Sequence, residues 1–172
     1  MILAAQVVGI IAVVVFLLSY QQKTRKGMII VNATSRILYI VQYIMLGAFA
    51  GAVLDVLGTL SSVLAQNKDK GFIGKHKKLF FIGVNVLMIA AGLATYKNFF
   101  TLFSIAGVML HTIAFWINDE KTIRRVSLAG SPFWLVYNLS SMAYGSAMGD
   151  ILSMVSILVA MYRYDFRKQI KK

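Results

Sequence analysis

The chain has 172 residues, of which 59% are hydrophobic and 14% charged, with a mean hydropathy of +0.73. That balance excludes an ordinary soluble domain, because apolar runs of about 18 residues or more read as membrane-spanning helices. The formal charge of +12 sits in short clusters between such runs, which argues against a nucleic-acid surface, and zero cysteines exclude disulfides, thiolate metal sites and cysteine nucleophiles.

Seven spans are predicted in chain order, near Ile2–Tyr20, Met28–Leu46, Phe49–Ala65, Leu79–Tyr96, Phe99–Ile117, Val126–Ala143 and Met148–Met161. Helices are the expected form, since a spanning segment must satisfy its own backbone hydrogen bonds. The first has no basic leader and no clear cleavage site, so it reads as a retained span. Pro132, after Gly130 and Ser131, is expected to kink or begin the sixth.

The cations test this count. Lys23, Arg25 and Lys26 fall in the first connection, and Lys68, Lys70, Lys75, Lys77 and Lys78 in the third. Lys121, Arg124 and Arg125 fall in the fifth, and Arg163, Arg167, Lys168, Lys171 and Lys172 in the tail. Only Lys97 lies on the other side and only Arg36 within a span. The positive-inside rule then puts the amino terminus outside and the carboxyl terminus in the cytoplasm. The acidic pair Asp119-Glu120, beside Lys121, reads as solvated.

Compared with itself at an offset of 98 residues, the chain matches Gly9 to Gly107, Lys23 to Lys121 and Tyr39 to Tyr137. Gly47 matches Gly145, Gly51 matches Gly149, and Leu54 matches Leu152. The expected fold is an all-α integral membrane protein: seven transmembrane helices in a 3+1+3 arrangement of two parallel triple-helix repeats. The repeats span 1–66 and 99–164, joined by a loop and linker helix over 67–98 and followed by a basic tail at 165–172. Gly47, Gly51, Gly145 and Gly149 are expected at close helix contacts in the hairpins.

Charged and polar residues inside spans are the candidate site. A charge at a helix centre costs roughly 2.5–3.5 kcal/mol on insertion scales, so it faces a partner or a water-filled cavity. Arg36 either snorkels to the cytoplasmic face or pairs with Asp55, about five residues from it across the hairpin. Asp55 serves either a static helix contact or a central pathway, and its counterpart at the repeat offset is Ser153. His111 reads as a packing residue or a proton relay. Gln42, Tyr43, Asn85, Asn138 and Ser141 line a polar path or tie helices together. Asp150 reads as a hairpin cap at the outer surface. The aromatics Phe99, Phe100, Tyr162 and Tyr164 read as interfacial anchors.

The 3+1+3 plan resembles the SWEET sugar transporters and, in each triple unit, the SemiSWEETs. Tyr144-Gly145-Ser-Ala-Met-Gly149-Asp150 is similar to a hairpin common there. The whole chain more closely resembles the YgjV-type bacterial inner-membrane proteins, through Gln42-Tyr43-Ile-Met-Leu-Gly47-Ala and Tyr162-Arg163-Tyr164-Asp165. It departs from the Pro-Gln pair of the PQ-loop group, having Tyr20-Gln21-Gln22 and Asn118-Asp119 instead.

The resemblance implies a small-solute transporter or facilitator of the bacterial cytoplasmic membrane; the rival is a non-transporting receptor or assembly factor on the same bundle. No nucleophile–base set, phosphate loop or metal-ligand cluster is legible, so neither an enzyme nor a cofactor is expected. Expected partners are membrane lipids and a small polar solute, not nucleic acid, with self-association into a homo-oligomer left open.

Overall fold

The computed structural model describes residues 2–19 and 25–166, and all of its regular structure is helical. Seven long helices appear: α1 Ile2–Ser19, α2 Arg25–Met45, α3 Phe49–Gln66, α5 Lys77–Ala94, α6 Thr101–Trp116, α7 Glu120–Ser140 and α8 Tyr144–Met161. A five-residue helix, α4 Gly71–Lys75, interrupts the lysine-rich connection, and a π-helical turn, Tyr162–Phe166, ends the described chain. Neither short element is legible from hydropathy, because one turn of helix carries too few residues for a period. Lys23, the Tyr20-Gln21-Gln22 stretch, Arg167, Lys168, Lys171 and Lys172 lie outside the described residues.

Among the described residues, three helices are long and apolar enough to cross a membrane: Phe49–Gln66, Lys77–Ala94 and the continuous stretch Tyr144–Asp165. Ile2–Leu18 and Thr101–Trp116 are apolar but shorter. α2 and α7 are 21 residues each, with Arg25, Lys26 and Arg36 in the sequence of one and Glu120, Lys121, Arg124 and Arg125 in that of the other.

Local chemistry sets several boundaries. Asp119 caps α7: its carboxylate accepts from the Thr122 backbone N–H at 2.8 Å and from the Thr122 hydroxyl. The helix therefore begins at Glu120, six residues before the expected start at Val126, and Asp119 is a structural cap. Pro132 lies inside α7 and does not begin it. α8 likewise starts at Tyr144, ahead of the expected Met148. Between α2 and α3, Gly47 adopts φ +66°, a left-handed value that glycine takes at low cost, and the Ala48 N–H returns to the Tyr43 carbonyl at 2.8 Å. An added Cβ at Gly47 would meet nothing within 4 Å, so its role is the turn and not the helix contact expected for it.

Around the bundle, α1 packs on α2, α2 on α3, α3 on α6, α6 on α7, α7 on α8, and α8 returns to α1. α5 lies against α3 and α6. Leu79, Ile82, Val86, Leu87 and Leu93 of α5 are exposed, as are Ile10, Ile11 and Val14 of α1. The interior mixes an apolar cluster with many polar side chains. Ser35, Gln42, Ser61, Ser104, Thr112, Ser131, Asn138 and Ser146 are buried beside alanines, Leu54 and Met88. In lipid, small and hydrogen-bonding side chains join helices, because apolar surface gains little by leaving hydrocarbon.

One end of the bundle is tied by cations. Lys68 donates to the Trp116 and Ile117 carbonyls at 2.9 and 2.8 Å, satisfying acceptors at the end of α6. Arg124 grips Asp165 through Nε at 3.0 Å and through Nη2, and its guanidinium lies 5.9 Å from the Tyr164 ring centre. At the opposite end, Gln6 donates to the Met142 carbonyl at 2.6 Å.

Candidate functional site

Helical periodicity converges on one cavity. α2 presents Ser35, Tyr39 and Tyr43; α7 presents Ser131, Trp134 and Asn138; α8 presents Ser146, Asp150 and Ser153. Each set recurs at three- or four-residue steps, the spacing of a single helix face. Arg36, Asp55, His111 and Thr112 complete the polar lining, with Phe16 and Phe115 among the aromatic walls. The cavity has a volume of about 170 Å³. Arg36 stands eleven residues into α2, about 16 Å from its start at 1.5 Å per residue, so the cavity lies at mid-helix depth.

Arg36 donates through Nη1 to Asp55 Oδ1 at 2.9 Å and approaches Thr59 Oγ1 at 3.4 Å. Of the two sequence alternatives, pairing is therefore the one adopted. The pair also faces the cavity: the side chains retain 28% and 15% of their exposure.

A second polar chain crosses the bundle. Tyr43 donates to Asn138 Oδ1 at 2.8 Å, and Asn138 Nδ2 donates to Asp150 Oδ2 at 2.6 Å. Asp150 is thus a lining residue, and its placement as an outer hairpin cap is corrected. It stands seven residues into α8, whose N-terminal cap is Ala143. Behind this chain, Ser146 donates to Gln42 Oε1 at 2.9 Å, and Gln42 Nε2 reaches Gln6 at 3.4 Å.

His111 donates from Nδ1 to the Gly107 carbonyl at 3.1 Å, since a carbonyl can only accept. Its Nε2 lies 3.5 Å from Ser131 Oγ, which itself donates to the Ser127 carbonyl at 3.0 Å. The imidazole is held by packing and one firm bond while its far edge lines the cavity.

Trp134 stacks on Tyr43 with ring centres 6.4 Å apart and meets Tyr137 edge-on at 6.0 Å. Tyr137 fixes the α2–α3 turn to α7: its hydroxyl accepts from the Gly51 N–H at 2.8 Å and donates to the Ala48 carbonyl at 3.3 Å. Gly51 permits that approach, because a Cβ there would stand 2.8 Å from the Tyr137 ring. Gly149 does the same for Tyr39, whose hydroxyl would be 2.6 Å from an added Cβ. Gly145 lies against the backbone of Gly9.

Of the sequence candidates, Arg36, Tyr43, Asp55, His111, Asn138 and Ser153 line the cavity. Gln42 stands behind it as a support for Ser146. Ser141 terminates α7. Asn85 faces elsewhere: its amide donates to the Phe81 carbonyl of its own helix at 2.8 Å, and α5 packs on α3 and α6 away from the lining. Sequence reasoning missed Tyr39, Asp150 and Trp134. The common signal was helix-face register: Trp134 and Asn138 are four apart, as are Tyr39 and Tyr43.

No group of three or more His, Asp or Glu side chains able to hold a metal occurs among the described residues. No curated protein and no solved structure matches the chain. The family of bacterial inner membrane proteins of the YgjV type matches it over residues 3–168, and the chain belongs to that family.

Proposed function

We propose that the protein is a non-enzymatic transporter or facilitator of a small solute, with the mid-bundle cavity as its solute site. The observation that carries this reading is the cavity itself. A membrane bundle that served only as a scaffold has no need of two carboxylates and an arginine around a void at mid-helix depth, where charge is costly.

In this reading seven helices span the membrane, and α1–α3 and α6–α8 form two parallel repeats linked by α5. Three features support it. The order of packing is symmetric: α1–α2 corresponds to α6–α7, and the α3–α6 contact corresponds to α8–α1. The Tyr–Gly contacts are reciprocal, Tyr137 of the second half on Gly51 of the first, Tyr39 of the first on Gly149 of the second. These four residues are related by the same 98-residue offset. Arg36 and Trp134, also equivalent under that offset, face the cavity from opposite halves.

The end at which Lys68 and Arg124 meet their partners supports one orientation. With that end cytoplasmic, the amino terminus is outside. Uptake into proteoliposomes of labelled sugars, amino acids, nucleosides and amines tests the function. Saturable uptake of one class, lost in Asp55→Asn, is the expected result. If no solute enters faster than into empty liposomes, the receptor or assembly role replaces transport.

A further inference from the structure

We infer that the solute recognised by this cavity is a small organic cation, a compact ammonium compound, with Asp150 as its counter-ion and Trp134 and Tyr43 as aromatic walls. This rests on the reading of the cavity as the solute site and adds the chemical class.

Charge is the first argument. Apart from the His111 imidazole, the lining holds one cation, Arg36, and two carboxylates. Arg36 is engaged by Asp55 at 2.9 Å. Asp150 has no basic partner within ion-pair distance among the described residues, and its single hydrogen bond, from Asn138 to Oδ2, comes from a neutral amide. Oδ1 accepts none. One carboxyl group is thus left without a counter-charge, which a cationic ligand can supply. Burial of a carboxylate without a counter-charge is costly, so an entering cation gains what the protein itself does not supply.

The walls give the second argument. Phe16, Tyr39, Tyr43, Phe115 and Trp134 surround the void. Aromatic faces attract ammonium groups within about 6 Å of a ring centre, most strongly when water is excluded, and indole is the best of them. Tyr43 and Trp134 lie in a stacked pair, and the Tyr43 hydroxyl is joined to Asp150 through one amide, so the faces and the carboxylate share one corner. Anions would meet an unpaired carboxylate there, and neutral polyols would leave it unbalanced.

Size is the third. About 170 Å³ is close to the roughly 150 Å³ of a protein cavity that admits benzene, a solute of six heavy atoms. Choline, ethanolamine and tetramethylammonium, with four to seven heavy atoms, are solutes of that scale.

Trp134 provides the readout. In a Trp116→Phe background it is the sole tryptophan, and titration of the purified protein with choline should change its emission saturably. The neutral isostere 3,3-dimethyl-1-butanol should bind at least about tenfold more weakly, the ratio that 1.4 kcal/mol gives. Asp150→Asn should abolish the choline response and Asp150→Glu should retain it. Equal response to choline and its isostere on the unaltered cavity, which needs no variant at Asp150, overturns the inference; so does choline binding that survives Asp150→Asn. Labelled-choline uptake separates the two claims. Binding without uptake keeps the cation site and defeats transport. Uptake of a neutral solute with no response to any ammonium keeps transport and defeats the cation site.

Discussion

Neutralising Asp55 should cost stability by an amount set between two limits. The Arg36–Asp55 pair has a 2.9 Å contact and side chains that are 28% and 15% exposed. A surface pair contributes about 0–1 kcal/mol, whereas stranding one member of a fully buried pair costs about 3–5 kcal/mol. At a charge separation near 4 Å and an effective dielectric of about 20, the gross attraction is about 4 kcal/mol, part of which desolvation cancels. In Asp55→Asn the guanidinium keeps Thr59 Oγ1, 3.4 Å away, and access to the cavity. We expect a loss of about 2–3 kcal/mol, between those limits. For a chain of this size that is a fall of roughly 5–10 °C in thermal midpoint. Arg36→Gln should cost a similar amount, and the double variant about as much as either single one, giving a coupling of roughly 2–3 kcal/mol in a double-mutant cycle. Thermal unfolding of the four purified proteins in one detergent measures all of these. Additive single effects, with coupling below about 0.5 kcal/mol, would refute the argument, because the contact would then contribute nothing of its own.

Three further outcomes follow from the same structure. Gly145→Ala should destabilise by about 1–3 kcal/mol, because its methyl would enter the backbone of Gly9, which cannot yield as a side chain can. Gly83→Ala, on open surface, should be neutral or stabilise by up to about 1 kcal/mol in the same melting assay. Thr122, through its hydroxyl and then its N–H, holds the Asp119 carboxyl below the usual carboxylate range. A lowered folded-state value means that the cap stabilises above the unfolded pKa of about 3.9 and fades as pH falls through the folded one. The gap in thermal midpoint between the wild type and Asp119→Ala should therefore be constant above about pH 5 and close below about pH 4. For orientation, an impermeant thiol reagent applied to intact cells should label Lys97→Cys and spare Lys70→Cys; the reverse pattern inverts the bundle.

Much of the architecture was legible because lipid simplifies the code. Helical class follows from apolar runs, and the antiparallel hairpin geometry sufficed to place Arg36 within reach of Asp55. The boundaries were harder. Asp119 moved the start of α7 outward by six residues, a capping effect that hydropathy does not register. Asp150 was misread because Gly149-Asp150 beside a hairpin has the chemistry of a turn, and only the start of α8 at Tyr144 puts it a full two turns deep. Asn85 misled in the opposite direction. A polar residue in an apolar span suggests a pathway, yet an asparagine can donate its amide N–H to its own helix, as this one does to Phe81. Trp134 was hidden because a large aromatic in a span ordinarily packs in the core, and its face on the void depends on which helix stands opposite.

The most direct measurement is two-sided access to the cavity. The natural chain has no cysteine, so Ser153→Cys, on the cavity wall, gives a single thiol without further engineering. In proteoliposomes of uniform orientation, an impermeant methanethiosulfonate reagent is applied to the outer face in one experiment and trapped inside in another. A solute pathway that opens alternately requires labelling from both sides, slowed by a bound solute in each case. Labelling from one side alone, unaffected by any solute, contradicts the account and leaves a receptor-like pocket in its place.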